Sequence, residues 1–367
     1  MRYWFANFRY FDLLILSSSI LLLLLGLIMI YSTTLDTSGN LLMRQVIAAG
    51  MGLVGMMAMA FFDYRNLKKI TPWLYVLIVL SLVYVLFFGA TIRGSSRWID
   101  FGFFQLQPAE FAKIGMVIIM AKFLSEHGEK LKDMRYVALS AVYVLIPTVL
   151  ILLEPDLDSA LVVFGTWFAM LVFSPMRKKH LTIMIVMLLI AATLSWFFFL
   201  HDYQKERVFT FLNPAADPQG AGYNAIQSII AVGSGGLFGR GVGRGLQSQL
   251  DFLPERQTDF IFASTAEELG MLGSLIVLGL FAVIFIRLIK TTAAARDNFG
   301  MYISLGIFFM MLIQVLINIG MNIGVFPVAG IPLPLMSYGG SSLLATMLAL
   351  GLVQSIVARQ KVLKFGF

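Results

Sequence analysis

The chain alternates long apolar runs with short polar stretches, and the length of the runs matches a bilayer. Runs of about 18 residues or more can cross roughly 30 Å of hydrocarbon as helices. They recur near 11–31, 42–62, 70–89, 108–125, 136–153, 157–174, 180–200, 260–288, 300–325 and 340–358. The pattern predicts about ten transmembrane helices, with ionisable residues mainly between them. The first run lacks a cleavage site of small residues, so it is expected to be a retained span and not a signal peptide.

Two connections break this rhythm. The first, about residues 201–259, joins helices 7 and 8 and is long for a loop with no domain of its own. Its apolar residues, among them Ile226, Ile229, Ile230, Leu237 and Phe238, argue against disorder, and residues 223–232 are expected to form a short helix at the membrane surface. The second, VFPVAGIPLPLMSYGGSS from Val325 to Ser342, joins helices 9 and 10. It is apolar but full of Pro and Gly, so it cannot be one helix. Its backbone groups must be buried in protein or line a cavity, which predicts a re-entrant-like loop. The expected fold is an all-α polytopic membrane protein, with residues 1–367 forming a single integral membrane domain.

Composition agrees with this pattern. Hydrophobic residues make up 59% and charged residues 13%, with a mean hydropathy of +0.86, against roughly 25% charged in a soluble domain. The net charge of +7 invites a nucleic-acid reading, but its placement opposes one. Arg65, Lys68 and Lys69, then Lys130, Lys132 and Arg135, Arg177 to Lys179, Arg287, Lys290 and Arg296, and finally Arg359, Lys361 and Lys364 follow alternate spans, and Arg2 and Arg9 precede the first. With ten spans they share one side, which is then cytoplasmic, with both termini inside. The absence of cysteine excludes disulfides and thiolate metal sites. His127, His180 and His201 are too scattered for a histidine metal site.

The chemistry is expected on the opposite side. Glu255, Arg256 and Asp259 cluster where the long loop meets the eighth span. Asp259 is placed either to cap that helix or to act as a reacting carboxylate. Glu110 and Lys113, three apart and so on one helical face, are either a self-neutralising pair or the wall of a functional cavity. Arg97 is an interfacial anchor beside Trp98 or a phosphate ligand, and Asp156 caps the sixth span or faces the cavity. Glu267 and Glu268 lie roughly 12 Å below Asp259 at the helical rise, where one of them is expected to pair within the bundle. Gln314, Asn318 and Asn322 form an amide stripe that suits interhelical hydrogen bonding. The loop GSGGLFGRGVGRG, Gly233 to Gly245, lacks a nucleotide-binding fingerprint. Its bland reading is a tight surface loop, although Arg240 and Arg244 leave pyrophosphate contact open.

The motifs together resemble the SEDS proteins (shape, elongation, division and sporulation), membrane peptidoglycan polymerases. The resemblance covers most of the chain. GSSRWIDFGFFQLQPAEFAKI (Gly94–Ile114), EPDLDSA (Glu154–Ala160), NPAADPQGAGYNAIQS (Asn213–Ser228), LPERQTDFIFA with AEELG, and NIGMN with GIPLPLMSYGGSS are similar to the family's motifs and stand in the same order. The Pro-Glu-Arg form is similar to that of the elongation members. The chain departs at Gln257, where a His is usual, and at Glu154 and Asp158, where Gln and Gly are usual.

The resemblance implies a glycosyltransferase of the bacterial cytoplasmic (inner) membrane, with an extracytoplasmic active site, that polymerises lipid II for cell-wall elongation. It implies Asp259 as the catalytic carboxylate. Substrate contacts would come from Arg97, Glu110, Lys113 and Asp156, with Arg240 and Arg244 kept as candidates. It further implies undecaprenyl-pyrophosphate-linked glycan as the second substrate. A class B penicillin-binding protein is the expected partner, through the eighth and ninth helices. No cofactor or metal ligand is assigned. A divalent cation, Mg or Mn, is left open and would take oxygen ligands. The rival expectations are a lipid II flippase and a non-catalytic scaffold for a penicillin-binding protein.

Overall fold

Aspartate side chains set where many helices begin. The computed structural model describes residues 11–34, 40–92, 95–102, 104–198, 202–214, 217, 218, 220 and 222–361. In it Asp12, Asp63, Asp133, Asp156 and Asp297 each accept a hydrogen bond from a first-turn backbone N–H, satisfying donors that a helix leaves unpaired. They open α1 (Leu13–Thr33), α3 (Tyr64–Phe88), α5 (Met134–Leu153), α6 (Leu157–Val172) and α12 (Asn298–Asn322). The other long helices are α2 (Leu41–Phe61), α4 (Pro108–His127), α7 (Lys178–Phe198), α11 (Ile261–Ala293) and α13 (Gly340–Lys361). Arg2, Arg9, His201 and Lys364 lie outside the described residues.

Among the described residues, eight helices are long and apolar enough to cross a membrane. Two of the expected spans do not meet that standard. One is α4, which carries Glu110, Lys113, Lys122 and Glu126. The other is α6, whose 16 residues rise only about 24 Å. The third expected span starts earlier than its hydropathy suggests, because Asp63 caps it and takes Arg65, Lys68 and Lys69 into the helix.

Packing sorts the helices. In α4 fifteen of twenty residues are buried, and α13 is enclosed almost throughout, so these two form the middle of the bundle. Of α7, only His180 and Met184 are buried, and the rest of that helix offers its apolar surface outward. At the basic end, Arg287 binds Asp12 at 2.5 Å, Arg359 binds Asp63 at 3.3 Å and Arg65 reaches Asp297 at 3.6 Å.

The opposite end carries the irregular structure. Three strands, in the order β1 (Ala90–Ile92), β2 (Ser95–Asp100), β3 (Gln105–Leu106), form a small antiparallel sheet, which the all-helical reading missed. The long connection holds α8 (Asp202–Leu212), α9 (Tyr223–Ser234) and α10 (Leu246–Gln249), and α9 covers the short helix expected there. Residues 326–339 contain neither helix nor strand, and Ile331, Leu333, Leu335, Met336 and Ser337 are buried.

One expected span is not continuous. Gly270, at φ 69° and ψ −165°, interrupts α11, a conformation that an L side chain strongly disfavours. The glycine-rich loop plugs the break. Arg240 and Gly241 donate backbone N–H groups to the carbonyls of Glu267 and Glu268, and Met271 and Leu272 donate to Gly236 and Leu237. The loop therefore accepts and donates the hydrogen bonds that the broken helix cannot make with itself.

Candidate active site

A cavity of about 780 Å³ opens at the irregular end. Its walls come from the outer ends of α2, α4 and α6, from β2 and β3, from the turn before α11, and from residues 330–339. Of the residues singled out in the sequence, Arg97, Glu110, Lys113, Asp156 and Asp259 line it together.

Asp259 is held in place through its main chain. Its carbonyl accepts from Asn318 Nδ2 at 2.9 Å and from Asn322 Nδ2 at 3.1 Å. The helix does not take Asp259 as its cap, since the N-cap residue is Phe260. Asn322 supplies the cap from the neighbouring helix, its Oδ1 accepting the Ala263 N–H at 3.1 Å. Asn322 thus does the capping, Asn318 helps to hold the turn, and Asp259 lines the cavity. Ser337 Oγ donates to the Thr258 carbonyl at 2.6 Å, and the Tyr338 N–H donates to Gln257. Arg256 is buried, donates to the Thr33 carbonyl and pairs with Asp251, so it anchors the turn from behind.

The cations on the wall are mostly engaged already. Lys113 Nζ lies 2.7 Å from Glu110 Oε1, with both side chains almost fully enclosed. Arg97 grips the turn between α5 and α6, donating to the carbonyls of Glu154 and Pro155 and approaching Asp156 at 3.9 Å. Asp156 both caps and faces the cavity: it accepts from the Ser159 N–H at 3.1 Å and from Gln107 Nε2 at 3.0 Å. Arg44, on the first turn of α2, is the residue that sequence reasoning missed. It lines the cavity and is exposed. The available signal was an arginine just inside the outer edge of a predicted span, a position that is rarely filled without a use.

Glu154 lies behind Arg97. It is buried, and neither carboxylate oxygen has a hydrogen-bond partner among the described residues. Burial, with Asp156 adding to it and Arg97 opposing, pushes its carboxyl up to about 8, so it is mostly protonated at neutral pH. Asp158 accepts the Gly330 N–H at 2.9 Å.

Arg240 and Arg244 need a correction. Neither lines the cavity; both are exposed on the loop that plugs α11. That loop and the short α10 after it already hold two carboxyl groups of the protein's own. Gly243 N–H donates to Glu268, and Gln247 and Ser248 N–H donate to Glu267. Ser32 and Gln249 complete the shell of Glu268. Both glutamates are therefore structural, whereas only one was expected to be. Among the described residues no three His, Asp or Glu side chains group closely enough to hold a metal ion.

Comparison with known proteins converges on one group. Residues 12–362 match the FtsW/RodA/SpoVE family of cell cycle proteins. The chain is 39% identical to the peptidoglycan glycosyltransferase MrdB of Escherichia coli K12, over 96% of each chain. Its fold is similar to a chain of a solved peptidoglycan synthase complex that coordinates polymerization and crosslinking, with a TM-score of 0.82, 33% identity and coverage of 96% and 99%. It is likewise similar to the rod shape determining protein RodA of Thermus thermophilus, with a TM-score of 0.71, 30% identity and coverage of 96% and 98%. The chain is a multi-pass membrane protein of the FtsW/RodA/SpoVE family, the SEDS group that its motifs resemble.

Proposed function

We propose that this chain is a peptidoglycan glycosyltransferase of cell-wall elongation, joining lipid II units into glycan at the cavity around Asp259. The reading rests on one observation above the others: Asp259 shares a single cavity with Arg97, Lys113 and Arg44, on a turn that two asparagines pin in place. A reaction between an acceptor hydroxyl and a pyrophosphate-linked sugar needs this division of labour. The hydroxyl O–H bond breaks and its proton goes to the Asp259 carboxylate. The freed oxygen forms a bond to C1 of the donor sugar from the side opposite the leaving group. The C1–O bond breaks with its electron pair passing to undecaprenyl pyrophosphate, so an α-linked donor gives a β-linked product in one displacement.

The cationic wall stabilises the charge that builds on the leaving pyrophosphate. Arg44 is the side chain best placed to bind phosphate, because among the described residues it forms no salt bridge with the carboxylates of the wall. Glu110 and Asp156 hold Lys113 and Arg97 in place on that wall. A multi-pass protein with its basic loops inside has this cavity on the outer face of the cytoplasmic membrane, both termini in the cytoplasm, and residues 1–367 forming one domain. A class B penicillin-binding protein is the partner, crosslinking the strands and contacting α11 and α12.

The test is gel analysis of glycan made from labelled lipid II by purified protein with its partner, native and Asp259→Asn side by side. Removing a general base should lower the rate about 10²–10⁴-fold in a variant that melts like the native chain. Equal polymer from both would move the base elsewhere. No polymer from the native protein, beside an active control enzyme, would overturn the enzymatic reading.

A further inference from the structure

The turn before α11 carries a side chain that the mechanism above does not use. Gln257 lines the cavity two residues ahead of Asp259. Its main chain is fixed, the carbonyl accepting the Tyr338 N–H at 2.8 Å. Its side-chain amide, by contrast, has no hydrogen-bond partner among the described residues and is not sealed from solvent. The other two glutamines of the wall differ: Gln107 donates to Asp156 at 3.0 Å, and Gln105 is exposed. Tyr338 lines the cavity beside Gln257, with its ring packed on the core of the bundle.

This corner is rigid. Ser337 Oγ donates to the Thr258 carbonyl at 2.6 Å, Gln45 Nε2 to the Ser337 carbonyl at 3.2 Å, and the Gly339 N–H to Gln45 Oε1 at 3.1 Å. Gln45 is buried and follows Arg44 in α2, so one frame joins Gln257 and Tyr338 to the proposed phosphate ligand. We propose that Gln257 reads the 2-acetamido group of the donor sugar, its amide nitrogen donating to the acetamido carbonyl while the Tyr338 ring meets the acetyl methyl. The inference deepens the glycosyltransferase reading and rests on it. In a pyrophosphate-linked 2-acetamido sugar the acetamido group stands on C2, bonded to the C1 that carries the phosphate. A phosphate held at Arg44 therefore brings that group close behind it. A carbonyl needs a donor, which an ionised carboxylate cannot supply. Arg97 and Lys113 are engaged with the main chain of the α5–α6 turn and with Glu110. Gln257 offers an uncharged donor on a fixed backbone, which suits a neutral carbonyl and leaves the guanidiniums to the phosphate. Gln257 is thus a specificity-determining residue.

The experiment uses the full-length protein with its partner. The donor is a 4-deoxy lipid II, which cannot accept, bearing either an acetamido group or a hydroxyl at C2 of its pyrophosphate-linked sugar. The acceptor is a lipid II whose pyrophosphate is joined through carbon and cannot leave. The native enzyme should use the 2-hydroxyl donor about tenfold less well in kcat/KM, one neutral hydrogen bond and a partial methyl contact. Gln257→Met, close in size and without a donor, should lose about fivefold with the acetamido donor and discriminate only about twofold, with acceptor KM unchanged. Gln257→Glu should behave like Gln257→Met, and Gln257→His, whose ring N–H donates, should fall between. All should melt like the native chain, because the Tyr338 bond uses the main chain. Equal use of both donors by the native enzyme, full discrimination surviving in Gln257→Met, or a change confined to acceptor KM would overturn the proposal and leave the glycosyltransferase reading standing. No linkage formed by the native enzyme, beside an active control, would overturn both.

Discussion

Replacing Glu154 by Gln should stabilise the protein, and more so as pH rises. The carboxyl is buried without a hydrogen-bond partner among the described residues, and its folded-state value is about 8 against an ordinary 4.5. The folded chain therefore holds a proton that the unfolded chain releases. Between about pH 4.5 and 8 the folded state binds more protons, so stability falls as pH rises, by at most ~1.4 kcal/mol per pH unit. Across that window the loss is bounded at about 4–5 kcal/mol, absent below the unfolded value and complete above the folded one. Gln is neutral throughout and removes the slope. Thermal unfolding of both proteins in detergent at pH 5, 6, 7, 8 and 9 measures it: the melting points should diverge in favour of Glu154→Gln up to pH 8 and then run parallel. Parallel curves from pH 5 to 8 would refute the reasoning, because a neutralising partner for Glu154 would then exist. There is a functional corollary. A neutral Glu154 leaves the charge of Arg97 to Asp156 and the cavity, so activity should decline above pH 8 in the native protein and not in the variant.

Two further outcomes test the plug at Gly270. Gly239→Ala should destabilise by about 1–3 kcal/mol, since its φ is +78° and a Cβ would lie 2.1 Å from the Glu268 carbonyl; the melting point reads this. Changing Arg240 and Arg244 together to Ala should leave glycan yield within about twofold, the ordinary range for exposed substitutions, and a large loss in the gel assay would return them to the substrate path.

How far the sequence was legible depended on which property carried each feature. Apolar length found the helices, and the spacing of Glu110 and Lys113 found their pairing, because both are local. The three-stranded sheet escaped because its strands are two to six residues long, too short for alternation to show. The interruption at Gly270 escaped because hydropathy sums side chains and is blind to φ. The sequence leaves Asp259 open between capping α11 and reacting, and the structure supplies the cap from Asn322. A carboxylate at a helix start looks like a cap, and only the position of Asn322, in another helix, reveals that the cap is already supplied. Arg44 escaped because nothing in its own segment marks it as a neighbour of Asp259.

The glycine-rich loop shows why a local pattern can be physically right and still misplaced. Gly239, Gly241 and Gly243 have positive φ, but Gly239 and Gly241 donate to the carbonyls of Gly235 and Glu268, and of the three it is Gly243 whose N–H reaches a carboxyl group, that of Glu268. The inference from sequence to phosphate assumed that the anion is a ligand. Here it is two carboxylates of the same chain, and they sit on the half-helix that begins two residues after Asp259. That half-helix is tied at both ends, by Asn318 and Asn322 at its start and by the plug at its finish. A segment so anchored has no freedom to follow the rest of α11, from Met271 toward the basic end, where Met271, Leu272, Leu275 and Ile276 are exposed. The break thus separates a rigid piece that follows Asp259, the proposed base, from a piece whose apolar side chains are open to lipid or another protein. Chemistry that depends on sub-ångström placement gains from that separation, and this explains why buried glutamates and a broken span, each unfavourable alone, occur together.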